Sequence, residues 1–327
     1  MASELNRLSQ EGEHIEADRR IVAQPLWHSG YWSCLRKWHR VLRVSLLCAF
    51  TCLVCIFGLA GNGAVLWLLG FRMKRTPFSI YILNLAVADC GVLISSILMA
   101  IITIVRMHHL EQTHLYIFFY SSSQFLLTSI SIDRCTSVLF PFWYRFRRPK
   151  TFSTVLCALI WLLTFLVQGI CLTVYFTWSS YALFALFLGI LVNAVVCLPP
   201  IMVSTLILFV RFCFKSQQRQ RGKLIMVILL TLFFFLIFAF PLNIIYLIRF
   251  SDWSSLEDWL IVTCYNLPEF GLLLSSLNSF VNPLLYFLVG RKKRGLCREN
   301  LKLVLRRVFI EEEETCTEEP ETQLGDL

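Results

Sequence analysis

The chain is predicted to be an all-α membrane protein: a bundle of seven transmembrane helices followed by a short amphipathic helix 8 on the cytosolic surface. Three observations carry this prediction. Seven separate stretches stay apolar for about 20 residues or more, the length a helix needs to cross roughly 30 Å of hydrocarbon. Hydrophobic residues make up 57% of the 327 and charged residues only 16%, with 28 phenylalanines, whereas a soluble domain is nearer half apolar and a quarter charged. The remaining basic charge collects between alternate apolar stretches, and isolated polar residues recur inside them.

The spans are expected at 44–70, 77–105, 114–138, 152–176, 181–211, 223–249 and 259–289. Each must be a helix, because backbone groups in lipid have to be satisfied within the segment. Residues 1–43 read as a polar N-terminal segment and 44–290 as the membrane domain. Residues 291–310 form the amphipathic surface helix: Leu301, Val304, Leu305 and Val308 recur at i, i+3, i+4 and i+7, with Lys302, Arg306 and Arg307 opposite. The acidic segment 311–327 lacks the apolar content to fold and is expected to be a disordered cytosolic tail. No polar piece is large enough for a typical soluble domain. The absence of an internal repeat argues against an inverted-repeat transporter.

Charge placement sets the orientation. Lys and Arg number three in Arg72–Arg75, four in Arg145–Lys150, five in Arg211–Lys223 and eight in Arg291–Arg307. The alternate connections hold only Arg106 and Arg249. Twenty against two places the first set in the cytosol by the positive-inside rule, with the N-terminus extracellular and the C-terminus cytoplasmic in the plasma membrane. Arg36, Lys37, Arg40 and Arg43 precede the first span on the outer side and run against the bias. The net charge of +9 therefore faces the anionic inner leaflet of the lipid bilayer rather than nucleic acid. The polar start predicts no cleavable signal peptide, so the first span would serve as an uncleaved anchor. Most of the thirteen cysteines lie within spans, where a thiol behaves as a small apolar group, and no spacing suggests zinc.

Polar residues in lipid mark function. An Asp at the centre of a membrane helix costs roughly 3 kcal/mol on insertion scales. Asp89 stands there in the second span, and Asn62, Ser123, Asn278 and Asn282 lie at similar depth in others. Together they make a candidate pocket for a sodium ion and waters, with a hydrogen-bonded core aspartate as the plainer alternative. Asp133-Arg134-Cys135 ends the third span, where an arginine can hold an ion pair at rest and release it when helices part. Pro241 and Pro283 are interior to the sixth and seventh spans; each removes a backbone hydrogen bond and bends its helix.

These residues resemble the signature positions of class A (rhodopsin-like) G-protein-coupled receptors over about 44–309. The resemblance covers Gly61-Asn62, Leu85-Ala86-Val87-Ala88-Asp89, Asp133-Arg134-Cys135, Trp161, Pro200, Pro241 and Asn282-Pro283-Leu284-Leu285-Tyr286. Within that class the chain is most similar to the Mas-related receptors. That likeness rests on the run from Gly70 to Leu83, on Ser131–Cys135, Leu139–Arg145, Arg148-Pro149-Lys150 and Tyr286–Gly290, and on a sixth span that reads Phe238-Ala239-Phe240-Pro241 without a toggle tryptophan. His109 stands where class A receptors usually place the helix 3 cysteine, so that bridge is absent. The bridge between helices 4 and 5 found in this family has no convincing pair here, and Cys171 occupies roughly the place of its helix 4 acid. Tyr116 replaces the aspartate of amine receptors and Ser276 the lysine of opsins, which argues against monoamine ligands and photochemistry.

The resemblance implies a receptor that converts binding of an extracellular peptide or small molecule into activation of a heterotrimeric G protein. It assigns Asp133, Arg134, Tyr286, Pro241, Asn282 and Pro283 to the activation switch. The candidate ligand rim comprises Tyr116, Tyr120, Cys171, Asp252, Asp258 and Glu269. His108, His109 and His114 crowd the same mouth, most simply as solvated loop residues. Cys297 is a candidate palmitoylation site. Thr315, Thr317 and Thr322 are candidate phosphorylation sites that would recruit arrestin. No cofactor or metal beyond the candidate sodium ion is implied. No HExxH or GxSxG occurs, which argues against an enzyme. The alternatives are a non-signalling or degenerate receptor homologue and, with too few intramembrane charges along a path, a membrane transporter.

Overall fold

The computed structural model describes residues 38–39, 41–73, 75–105, 110–149, 151–178, 182–214, 226–238, 243 and 267–290. These form eight helices: α1 (Val41–Arg72), α2 (Pro77–Val105), α3 (Leu110–Leu139), α4 (Pro141–Phe146), α5 (Phe152–Thr177), α6 (Ala182–Phe214), α7 (Met226–Phe238) and α8 (Leu267–Gly290). No strand occurs among the described residues. Six helices are long and apolar enough to cross a membrane, and α7, within the expected sixth span, is a shorter apolar helix. The outer parts of the expected sixth and seventh spans, the surface helix 291–310 and the tail lie outside the described residues, as does Pro241.

Chain contacts separate Met1–Leu47 from Cys48–Leu327. The described part of the first unit is helical, with Arg43 Nε donating to the His39 carbonyl at 3.4 Å. Everything that follows concerns the second unit.

Local chemistry explains the helix boundaries. α1 closes in a π-turn over Leu68–Arg72, where the Arg72 guanidinium lies 5.1 Å from the Trp67 ring centre. α2 starts with Pro77 after Thr76, and Thr76 and Ser79 cap each other. The Thr76 amide donates to Ser79 Oγ at 2.7 Å and the Ser79 amide to Thr76 Oγ1 at 3.1 Å. This reciprocal pair satisfies amides that a helix start leaves unpaired, and proline lacks the third. The short α4 was not expected from the sequence. It begins with Pro141 at its first position and stops at Arg147, before Pro149. A six-residue helix has too little periodic pattern to read in advance.

α3 is the central helix, packing on α2, α5 and α6, while α2 also meets α5 and α8. The α2–α3 contact depends on Gly91: a Cβ there would lie 2.1 Å from the Phe119 ring. The larger core cluster joins Leu85, Leu126, Leu127, Ile201, Leu232 and Tyr286 from five helices. Many large apolar side chains point the other way. Phe165 is 66% exposed and Leu206 64%. Continuous outward apolar faces of this size fit hydrocarbon rather than water.

Candidate functional site

The first polar cluster is built around Asp89, fully buried in the middle of α2. Ser123 Oγ from α3 donates to its Oδ1 at 2.8 Å, and Ser279 Oγ from α8 donates to the same oxygen at 2.9 Å. Asn282 Nδ2 donates to Oδ2 at 2.7 Å. One carboxylate thus ties three helices together, and all three donors are neutral. Satisfying a buried carboxylate in this way removes much of the cost of placing it there.

Asn62 and Asn278 are buried close by in sequence register, but neither bonds Asp89. Asn62 Nδ2 instead donates to the Gly58 carbonyl in its own helix and to the Ser279 carbonyl of α8, both at 3.0 Å. The second bond has a specific cause. Ser279 is four residues before Pro283, whose missing N–H would otherwise have served that carbonyl. Gly61 makes the approach possible, since a Cβ there would lie 3.0 Å from the Pro283 ring. Ser279 was missed in the sequence reading. Its signal was available: it sits one helical turn before Asn282, on the same face.

The second cluster lies at the end of α3. Asp133 Oδ1 accepts from Arg148 Nη2 at 2.6 Å, and its Oδ2 lies 3.3 Å from Arg134 Nη2. Tyr144 OH on α4 donates to Asp133 Oδ2 at 2.9 Å. It also accepts from Arg148 Nη1 at 2.6 Å and from Arg134 Nη2 at 3.4 Å. Arg148 Nη2 reaches Ser153 Oγ in the first turn of α5 at 2.7 Å. The Arg134 guanidinium lies over the Phe78 ring of α2, 4.1 Å from its centre. Burial pushes the Tyr144 hydroxyl pKa above its ordinary value, so the phenol stays protonated and keeps donating. Arg134 is 4% exposed and Tyr286 4%. Phe78, Ile82, Ile130, Ile228, Leu232 and Tyr286 line a narrow apolar cavity between α2, α3, α7 and α8 at this end.

At the opposite end, Tyr116 and Tyr120 of α3 are buried, with ring centres 5.8 Å apart and nearly parallel. They pack with Val92, Ile117, Ile190 and Leu272. Cys171 of α5 is buried, and a Cβ on Gly189 of α6 would lie 4.0 Å from its Sγ and from Gln168 Nε2. His114, expected as a solvated loop residue, is instead buried within α3, with its ring centre 5.5 Å from that of Tyr175. Glu269, in the first turn of α8, is half-buried. Asp252, Asp258, His108, His109, Cys297, Thr315, Thr317 and Thr322 lie outside the described residues. Between the two clusters, Trp161 Nε1 of α5 donates to Asn84 Oδ1 of α2 at 3.0 Å.

Residues 61–286 match the family described as the 7 transmembrane receptor (rhodopsin family). The chain belongs to that family. Its similarity to proto-oncogene Mas of Rattus norvegicus is 36% identity over 271 residues, covering 78% of this chain and 81% of the relative. Mas-related G-protein coupled receptor member D of Macaca fascicularis is 39% identical over 294 residues, 84% of this chain and 87% of the relative. Mas-related member H of Rattus norvegicus is 36% identical over 284 residues, with coverage of 83% and 86%. The receptor is therefore a multi-pass membrane protein of the class A, Mas-related type, and its function is G-protein-coupled signalling. In the receptor, α1, α2, α3, α5, α6, α7 and α8 correspond to the seven expected spans, and α4 lies between the third and the fourth.

Proposed function

We propose that the two polar clusters hold the receptor at rest, and that a ligand at the Tyr116 end favours a state in which α7 moves away and releases Arg134. The observation that carries this reading is the burial of Arg134 and Tyr286 at the Asp133 end of the bundle. A G protein docking there would first have to gain access to both. The ligand contributes only its differential affinity for the two states; reversing a 1:99 equilibrium takes about 5.5 kcal/mol. Pro241, which the sequence predicts to bend the sixth span, would supply the pivot.

Charge bias supports an extracellular N-terminus and a cytoplasmic C-terminus in the plasma membrane. The Asp133 end then faces the heterotrimeric G protein, and the tail carrying Thr315, Thr317 and Thr322 would offer arrestin a phosphorylated partner. Cys297 would anchor the surface helix by palmitoylation. Peptides and small molecules both remain candidate ligands.

The Asp89 cluster fits a sodium ion. Its carboxylate and the Ser123 and Ser279 hydroxyls are the oxygen donors that hard cations take, and the buried aspartate has only neutral donors bonded to it. Bound there, the ion would supply compensating positive charge, while Asp89, Ser123 and Ser279 hold α2, α3 and α8 in the resting arrangement.

Arg134→Ala tests the switch. The variant should reach the surface of intact cells but no longer bind a nucleotide-free heterotrimer that the wild type binds. Unchanged binding would overturn the assigned role. Sodium is tested by thermal unfolding in sodium chloride against choline chloride: sodium should stabilise the wild type and not Asp89→Asn. Epitope tags at the two termini, probed on unpermeabilised cells, test the orientation.

A further inference from the structure

We propose that Arg148, in the turn between α4 and α5, is a positioning residue for Arg134, sharing the Asp133 carboxylate and so loosening the resting hold on that arginine. The inference rests on the reading above that Arg134 must leave Asp133 for a G protein to bind.

The geometry distributes one carboxylate between two cations. Arg148 takes Oδ1 at 2.6 Å, whereas Arg134 lies 3.3 Å from Oδ2, an oxygen that also accepts from Tyr144 at 2.9 Å. Arg148 has the shorter and less contested contact. It is also the more firmly fixed. Its two terminal nitrogens donate to Tyr144 OH at 2.6 Å and Ser153 Oγ at 2.7 Å, and its guanidinium lies 4.5 Å from the Tyr144 ring centre. The side chains of Asp133, Arg134 and Arg148 are 3%, 5% and 6% exposed, so solvent screens little of their interaction.

Two consequences follow for the switch. Repulsion from Arg148 offsets part of the attraction that Asp133 exerts on Arg134. In addition, Asp133 still has a cation when Arg134 departs. Leaving a buried carboxylate without a counter-charge is strongly unfavourable. A chain without Arg148 would meet that penalty at each activation, with only the neutral Tyr144 hydroxyl still bonded to Asp133. Arg148 therefore lowers the free energy of releasing Arg134 without touching the G protein itself.

The test uses the full-length solubilised receptor and a nucleotide-free heterotrimer that the wild type binds, with affinity measured for Arg148→Gln, Arg148→Lys, Asp133→Asn and Asp133→Asn/Arg148→Gln. Gln can still donate to Tyr144 or Ser153 but carries no charge. Arg148→Gln should weaken binding about tenfold, within the usual range of coupling between sites, and Arg148→Lys should recover most of that loss. In the Asp133→Asn background, Arg148→Gln should change affinity less than about twofold, because no carboxylate remains to be shared. A purely structural role would give the same loss in both backgrounds, and that result overturns the proposal. So does wild-type affinity in Arg148→Gln. Arg134→Ala separates the two levels: if it binds as wild type, the switch reading itself fails and takes this inference with it. If it does not bind but Arg148→Gln behaves as wild type, only the inference falls.

Discussion

Replacing Asp89 by Asn and by Ala separates the charge of this residue from its hydrogen bonds. Asn keeps one oxygen to accept from Ser123 and Ser279, the two donors that now share Oδ1. It loses the acceptor facing Asn282, but it also escapes an insertion cost of about 2.5–3.5 kcal/mol for a charged Asp at mid-membrane. A hydrogen bond to a charged group contributes about 1.5–3 kcal/mol, so the two terms nearly cancel and Asp89→Asn should fall within about 1 kcal/mol of the wild type. Ala removes both remaining acceptor roles, at about 1 kcal/mol each. It also leaves a void worth about 1 kcal/mol. Part of this is recovered, because a serine in a helix can turn to its own backbone, as Ser276 does towards the Leu272 carbonyl at 2.7 Å. Asp89→Ala should therefore lie about 2–3 kcal/mol below Asp89→Asn. At about 2–4 °C per kcal/mol, that is a separation of roughly 4–12 °C in thermal unfolding of purified receptor in detergent, in sodium-free buffer. Equal midpoints for the two variants would refute the reasoning, since acceptor geometry would then contribute nothing.

Four further substitutions test other contacts. Gly91→Ala should destabilise by about 1–3 kcal/mol as Phe119 is forced from its place; an unchanged unfolding midpoint would mean that α2 and α3 do not approach this closely. Trp161→Phe should cost about 1 kcal/mol through loss of the bond to Asn84, and the cost should shrink in an Asn84→Ala background. Asn62→Leu should cost about 1–3 kcal/mol by orphaning the Ser279 carbonyl, measured by the same melt; a neutral result would show that carbonyl finding another donor. Tyr144→Phe should lower stability by about 1.5–3 kcal/mol by taking a hydrogen bond from the charged Asp133. Because burial keeps the Tyr144 hydroxyl protonated well above its ordinary range, the difference from wild type should stay constant from pH 6 to pH 9.

Much of the architecture was legible because lipid imposes simple rules. Apolar length gave the helices, as in α2, expected at 77–105 and found at Pro77–Val105. Asp89 was conspicuous for the same reason, being a carboxylate where charge is costly. Its partners were only partly readable. Ser123 and Asn282 stand out as polar side chains at matching depth, but Asn62 and Asn278 share that property and bond elsewhere or not to Asp89. Depth can be counted along a sequence; rotation of one helix against another cannot. The Arg148 clamp was hidden for a different reason. Its partners come from α3, α4 and α5, and α4 is too short for its hydrophobic pattern to announce it. Arg148 looked like one more basic residue facing the inner leaflet.

The junction of α1 and α8 bears on how force would travel through the receptor. Pro283 deprives α8 of an internal bond, yet the orphaned carbonyl is tied down from α1 by Asn62, with Gly61 flush against the ring. A helix interruption secured from outside behaves as an anchored fulcrum rather than a loose joint. Bending at this level would leave the half of α8 before Ser279 fixed to its neighbour and swing the segment beyond Pro283 as a lever. Tyr286 rides on that lever, one turn from the pivot, so a small rotation near mid-membrane becomes a displacement of a phenol ring at the end where Arg134 is stored.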